Sequence, residues 1–104
     1  MNELKRISTQ QAKAIIEQKD TVIIDIRDAM SFNQSHIEGA VLLDNNNVDT
    51  FIENTPKDIS IIVYCYHGNS SQGAAQFLHE KGFCEAYSLD GGFELWKTQY
   101  DVVS

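Results

Sequence analysis

The chain has 104 residues, 42% of them hydrophobic and 10% aromatic, so it is long enough for one domain with a core over residues 1–104 and too short for two. Fifteen acidic residues against eight basic ones give a formal net charge of −7, which disfavours nucleic acid as a partner. No stretch has the length of a membrane span and residues 1–6 lack the apolar segment of a signal peptide, so we predict a cytoplasmic protein with no membrane partner.

The predicted elements of the first half alternate between strands and helices. Residues 7–9 are predicted as a short strand that ends in a helix cap, Ser8 or Thr9, because Ala12, Ile15 and Ile16 follow at helical spacing. This helix is predicted to run to Lys19. The next elements are an apolar strand at residues 21–26, a short helix capped by Asp28, a strand at residues 41–43 and a helix that ends before Pro56.

The second half continues the alternation. Residues 61–65 form a continuously apolar, β-branched run, as expected of a parallel strand that is buried on both faces. A helix follows to Lys81, with Gly82 in the position that ends many helices. Residues 85–89 are predicted as the last strand, and Phe93 lies in a closing helix. Strands that alternate with helices predict an α/β fold with a mainly parallel sheet covered on both faces.

Cys65 carries the clearest chemical signal in the chain. It ends the fourth predicted strand, and the small polar residues 66–71 follow it as a loop into a helix. Backbone N–H groups and the positive end of the helix dipole converge on one point in such a turn. A thiolate is stabilised there, and its pKa falls. We therefore predict that Cys65 is a nucleophile or part of an anion site, the alternative being a core cysteine that only packs.

The second cysteine and the loop histidine give weaker signals. Cys84 is predicted to pack, with a redox role left open if it can approach Cys65. His67 lies two positions after Cys65, where it either contacts substrate or faces solvent. A Cys-x-His pair without a second pair is not a recognisable zinc spacing, so we predict no metal and no cofactor.

Several polar groups follow strands of the predicted sheet. Asp25 and Arg27 come at the end of the second strand, Cys65 ends the fourth, and residues 90–92 follow the last. The functional crevice of an open α/β sheet lies at the carboxyl ends of its strands, so we expect these groups at one edge. Arg27 is predicted either to contact an anionic substrate or to tether loops, and Asp25 is predicted to be structural.

Four short motifs stand in a fixed order along the chain. They are Asp-Ile-Arg at 25–27, Ser-His-Ile-Glu-Gly-Ala at 35–40, Cys-Tyr-His-Gly-Asn-Ser-Ser at 65–71 and Asp-Gly-Gly-Phe-Glu-Leu-Trp at 90–96. Each motif alone is weak evidence, but with their order and spacing the chain resembles the rhodanese family over nearly all of its length. The loop is most similar to that of single-domain thiosulfate sulfurtransferases. The resemblance implies a five-stranded sheet and a structural role for His36.

The resemblance also implies a double-displacement reaction. The Cys65 thiolate would attack the sulfane sulfur of thiosulfate, release sulfite, and carry the sulfur as a persulfide to cyanide, a dithiol or a thioredoxin-like protein. Residues in or near the loop would bind the substrate, namely Tyr66, His67, Gly68, Asn69, Ser70 and Ser71 together with Arg27.

The loop departs from the family pattern in its charge. Many rhodaneses have a basic residue after the nucleophile or at the end of the loop, whereas this chain has Tyr66 and Ser70 there. Two other functions stay open. One is a binding or regulatory module that keeps the fold without the chemistry. The other is a cysteine phosphatase or arsenate reductase, whose Cys-x5-Arg pattern needs an arginine where this chain has Ser71.

Overall fold

One five-stranded sheet organises residues 5–104, the part of the chain that the computed structural model describes. Every neighbouring pair of strands is parallel, and their spatial order is β1-β5-β4-β2-β3. The predicted α/β fold with a five-stranded parallel sheet is therefore confirmed. The strands are β1 (Lys5–Ile7), β2 (Thr21–Asp25), β3 (Val41–Leu42), β4 (Ser60–Tyr64) and β5 (Glu85–Leu89).

Helices cover both faces of this sheet, as predicted. Apolar residues of α1, α2 and α5 pack on one face, and those of α3 and α4 pack on the other. Within residues 5–104, no helix combines the length and the hydrophobicity that crossing a bilayer requires. The helices are α1 (Thr9–Gln18), α2 (Ala29–Gln34), α3 (Val48–Asn54), α4 (Ser70–Glu80) and α5 (Gly92–Gln99).

The first strand ends earlier than predicted because Ser8 begins a helix. The Ser8 side chain accepts a hydrogen bond from the Gln11 backbone N–H at 3.1 Å, and the Gln11 side chain accepts one from the Ser8 N–H at 2.8 Å. This reciprocal pair satisfies two donors at the start of α1. Ser8, one of the two residues predicted to cap this helix, is therefore its cap, and Thr9 is the first residue of α1.

Strand β4 lies at the centre of the sheet and is buried along its whole length. Its side chains alternate between the two faces, so that Ile62 and Tyr64 enter one core cluster while Ile61 and Val63 enter the other. A strand fixed on both faces holds whatever follows it in a defined position. That next residue is Cys65.

Candidate active site

The Cys65 sulfur is surrounded by donors from the loop and helix that follow it. The residue is 6% exposed, and its Sγ accepts hydrogen bonds from the backbone N–H groups of Gly68 at 3.2 Å and Ser71 at 3.3 Å. Ser71 lies in the first turn of α4, where N–H groups have no partner within the helix. The sulfur therefore occupies a position where the positive end of the α4 dipole favours an anion.

Two effects act on the pKa of Cys65 in opposite directions. Burial disfavours the charged form and raises the pKa, whereas the Ser71 hydroxyl and the N–H groups of Ser71, Gly68 and His67 favour the thiolate and lower it. The hydrogen bonds prevail, and the pKa of Cys65 lies below its ordinary value. At neutral pH a larger fraction of Cys65 is ionised than of an exposed cysteine.

The turn of the loop at Gly68 requires a glycine. Its φ is +93°, and a Cβ atom there would lie 2.9 Å from the backbone nitrogen of Gly91. The Gly68 carbonyl also accepts a hydrogen bond from the Gln72 side chain at 2.9 Å. These contacts fix the peptide whose N–H group points at Cys65.

The start of α5 also lies against the backbone of the loop that follows β4. Backbone N–H groups of Phe93 and Glu94 donate to the carbonyl oxygens of Cys65 at 2.8 Å and Tyr66 at 3.0 Å. A Cβ atom on Gly92, whose φ is +59°, would lie 2.6 Å from both of those oxygens. The Gly-Gly step after β5 therefore lets α5 bind the two carbonyls around the sulfur.

Tyr66 ties the loop to the start of α2 through its side chain. The Tyr66 hydroxyl donates to the Asp28 carboxylate and lies 2.6 Å from the Ser31 hydroxyl oxygen. The hydrogen bond from Tyr66, followed by those from the Ser31 hydroxyl and N–H, lowers the pKa of Asp28 to about 2. Because Asp28 stays ionised well below neutrality, this tether persists across the physiological pH range.

Removal of the Tyr66 hydroxyl is expected to loosen the loop. The Tyr66 hydroxyl ties the loop to the start of α2, so Tyr66→Phe should speed amide hydrogen exchange at Gly68 and Ser71 severalfold. Native-state exchange followed by NMR measures this. Tyr87→Phe is the matched control, since Tyr87 lies on β5 with its ring next to Lys5. Equal exchange in the two variants would contradict a tethering role.

Arg27 and Asp25 form a buried ion pair at the carboxyl end of β2. Their side chains are 3% and 0% exposed. Arg27 Nε lies 3.1 and 3.0 Å from the two Asp25 oxygens, while Nη2 donates to Asp25 Oδ2 and to the Ser35 carbonyl, both at 2.7 Å. The guanidinium also stacks on Phe93, 4.0 Å from the ring centroid. The pair therefore links the end of β2 to the Ser35 carbonyl, while the structural role of Asp25 and contact between Arg27 and substrate both stay predictions.

A model of the rhodanese-like domain family matches residues 8–99. The chain belongs to this family. Membership confirms the resemblance seen in the four sequence motifs. The thiosulfate sulfurtransferase GlpE of Pseudomonas fluorescens (strain Pf0-1) is 49% identical over 100 residues, which cover 96% of this chain and 91% of that protein. The protein of the same name from Ectopseudomonas mendocina (strain ymp) is 51% identical with the same coverage.

Solved rhodanese-like domains share the fold. The solution structure of the domain from the Anabaena sp. Alr3790 protein superposes with a TM-score of 0.85 at 24% identity, over 98% of this chain and 80% of that one. A crystal structure of the Alr3790 protein gives 0.80 at 27% identity, over 94% and 82% of the two chains. The architecture is therefore that of the family.

The remaining loop side chains of this rhodanese-like domain differ in their exposure to solvent. His67, Asn69 and Ser70 are exposed around the loop, and their contacts with substrate stay predictions. Ser71, also predicted to bind substrate, is fully buried, and its Oγ lies 3.4 Å from Cys65 Sγ. The Ser71 side chain therefore acts on the sulfur from within the protein.

His36 joins the turn after α2 to the end of the chain. Its N–H donates to the Val103 carbonyl at 2.7 Å, and its ring Nδ1 lies 2.8 Å from the Phe32 carbonyl oxygen. The ring also stacks on Phe32 with centroids 4.0 Å apart. These contacts support the structural role that the family implies for His36. Residues 5–104 contain no cluster of three or more His, Cys, Asp or Glu side chains suited to a metal ion.

The prediction that Cys84 packs in the core is wrong, because the residue is exposed. Cys84 precedes β5, whose first residue Glu85 pairs in register with Ser60, whereas Cys65 follows the other end of β4. At about 3.3 Å per strand residue, the length of β4 alone separates the two cysteines by roughly 16 Å. The two cysteines therefore lie at opposite ends of the strands.

The sequence reasoning missed Ser88, the residue behind the nucleophile. Ser88 is fully buried in β5, and its Oγ lies 2.8 Å from Ser71 Oγ. A small polar residue inside the short buried run of β5 was the available signal.

Proposed function

We propose that this rhodanese-like domain is a thiosulfate sulfurtransferase that carries sulfur on Cys65. The observation that supports the proposal is the position of Cys65 Sγ, which accepts hydrogen bonds from the N–H groups of Gly68 and Ser71. Curated relatives about half identical to the chain over 96% of its length bear the name of this enzyme.

The first half of the reaction loads the cysteine. The Cys65 thiolate attacks the outer, sulfane sulfur of thiosulfate and forms a new S–S bond. The sulfur–sulfur bond of thiosulfate breaks, and sulfite leaves with its electron pair. Cys65 then carries a persulfide with one negative charge.

The second half of the reaction removes the sulfur from Cys65. A thiophilic acceptor attacks the terminal sulfur, the S–S bond to Cys65 breaks, and the thiolate is regenerated as the leaving group. Cyanide becomes thiocyanate in this step. A thiolate acceptor becomes a persulfide, as would that of a dithiol or a thioredoxin-like protein.

Backbone groups supply the electrostatics of both halves. Sequence positions 58–80 contain no lysine or arginine, and the nearby guanidinium of Arg27 is held by Asp25. Fixed N–H dipoles stabilise an anion without having to reorganise during the reaction. Because the net charge of −7 gives no long-range attraction for an anion, the donor is bound by the local groups of the loop.

The chemistry requires a free thiol. Cys65 and Cys84 are both unpaired, and we propose that the domain, spanning residues 1–104, works in the reducing cytoplasm.

Mass spectrometry of the intact protein tests the proposal. Incubation with thiosulfate should add one sulfur atom, and cyanide or dithiothreitol should remove it. The Cys84→Ser variant is the control, because it retains Cys65 and should load fully. Absence of the adduct, or its location on Cys84 by peptide mapping, would overturn the proposal.

A further inference from the structure

Two buried serines form a chain of hydroxyl groups that ends at the nucleophile. Ser88 Oγ lies 2.8 Å from Ser71 Oγ, and Ser71 Oγ lies 3.4 Å from Cys65 Sγ. Both serines are 0% exposed. Ser88 pairs in register with Val63 of β4, so the sheet fixes its position relative to the cysteine that follows that strand.

We infer that Ser88 is a positioning residue for Cys65, acting by setting the direction in which the Ser71 hydroxyl donates its hydrogen. A serine hydroxyl has one hydrogen and two lone pairs. To stabilise the thiolate, Ser71 must donate its hydrogen to Sγ and is then free to accept one from Ser88. The inference rests on the proposed role of Cys65 as the sulfur carrier.

The same chain can serve the neutral thiol with the opposite direction. The Cys65 thiol then donates to Ser71 Oγ, and Ser71 donates to Ser88 Oγ. By rotating its O–H bond, the hydroxyl of Ser88 can either donate to Ser71 or accept from it, whereas an alanine methyl group can do neither. Ser88 therefore allows Ser71 to keep a hydrogen-bond partner before and after Cys65 ionises.

Burial makes this pairing strong. A buried hydroxyl without a partner is costly, so the two serines are held together in both states. Hydrogen bonds in a chain also polarise one another, by about 10–30% per bond. Donation by Ser88 should accordingly strengthen the bond from Ser71 to the thiolate.

Charged and titratable groups also lie on the elements around the loop. They are the Asp25–Arg27 pair after β2, Asp28 bound to Tyr66, His67 on the loop, and the Glu94–Lys97 pair on α5. A Ser→Ala change alters none of them. A shift in titration caused by such a change therefore reports on the hydroxyl chain.

Alkylation of Cys65 by iodoacetamide as a function of pH tests the inference in a Cys84→Ser background. Ser88→Ala should move the midpoint of the rate profile to higher pH by about 0.3 to 0.5 unit, with a twofold to threefold lower rate near neutrality. The rate plateau at high pH should not change, because Ser88 is fully buried in β5 and its replacement leaves the exposure of the Cys65 sulfur as it is. A purely structural role would leave the midpoint in place.

Ser60→Ala provides a matched control at the other end of the sheet. Ser60 is 2% exposed on β4 and donates to Glu85, far from the loop. Ser60→Ala should leave the midpoint of the alkylation rate profile unchanged. An equal shift in Ser60→Ala and Ser88→Ala, or no shift in either, would overturn the inference.

A double variant tests whether Ser88 acts through Ser71. Ser71→Ala alone should raise the midpoint, and adding Ser88→Ala should raise it no further. Additive shifts would overturn the inference. Alkylation needs no sulfur donor, so this experiment remains decisive even if thiosulfate fails to load Cys65, and the two failures are distinguishable.

Discussion

Cys65→Ser is expected to reduce sulfur transfer from thiosulfate to cyanide to the uncatalysed background, a loss of at least roughly 10³-fold. The serine hydroxyl is far less acidic than a thiol and cannot carry the sulfane sulfur as a persulfide. The N–H groups of Gly68 and Ser71 can still donate to the serine oxygen, so the loop should keep its shape. Thiocyanate formation measures the rate.

The exposed second cysteine supplies the control for this result. Cys84→Ser removes one thiol without touching the loop and should transfer sulfur at the full rate. The unfolding midpoint in urea should change little in either variant. Measurable turnover in the Cys65 variant, or its unfolding under assay conditions, would show that Cys65 is part of the scaffold instead.

Asp25→Ala should cause the largest loss of stability. The change leaves the Arg27 guanidinium, 3% exposed, without its counter-charge in the protein interior. Breaking a buried ion pair by removing one partner costs about 3–5 kcal/mol, because the remaining charge is uncompensated. Equilibrium unfolding in urea should show a lower midpoint with an unchanged slope.

An exposed pair of the same residue types gives the comparison. Arg6 and Asp90 are 2.9 Å apart, but their side chains are 55% and 41% exposed. Because water screens such a pair, Asp90→Ala should cost less than about 1 kcal/mol. Similar losses for the two Asp→Ala variants would mean that burial does not set the energetics of the Asp25–Arg27 pair.

The parts of the fold that depend on local pattern were predictable. The apolar run before Cys65, the cap at Asp28 and the end of α4 before Gly82 all arise from neighbours in sequence, and the structure contains each of them. The position of Cys65 follows from the same reasoning, because a strand-to-helix turn brings a cysteine at its start close to the first N–H groups of the helix. The order of the four motifs indicated the family and also the sulfurtransferase activity for which its relatives are named.

Contacts between distant side chains were not predictable. Tyr66 reaches Asp28 and Ser31 across more than 30 residues, and no periodic pattern encodes such a contact. Ser88 was overlooked for a similar reason, since its partner Ser71 lies on another element. The exposure of Cys84 depends on how the turn after α4 meets β5, which composition does not determine.

The placement of the two cysteines also determines how a loaded enzyme must be emptied. Cys84, the other of the two cysteines in the sequence, lies at the opposite end of the strands from Cys65 and cannot expel the bound sulfur by closing an intramolecular disulfide. An external nucleophile must therefore complete every catalytic cycle. Where such a molecule is scarce, Cys65 will remain in its persulfide form.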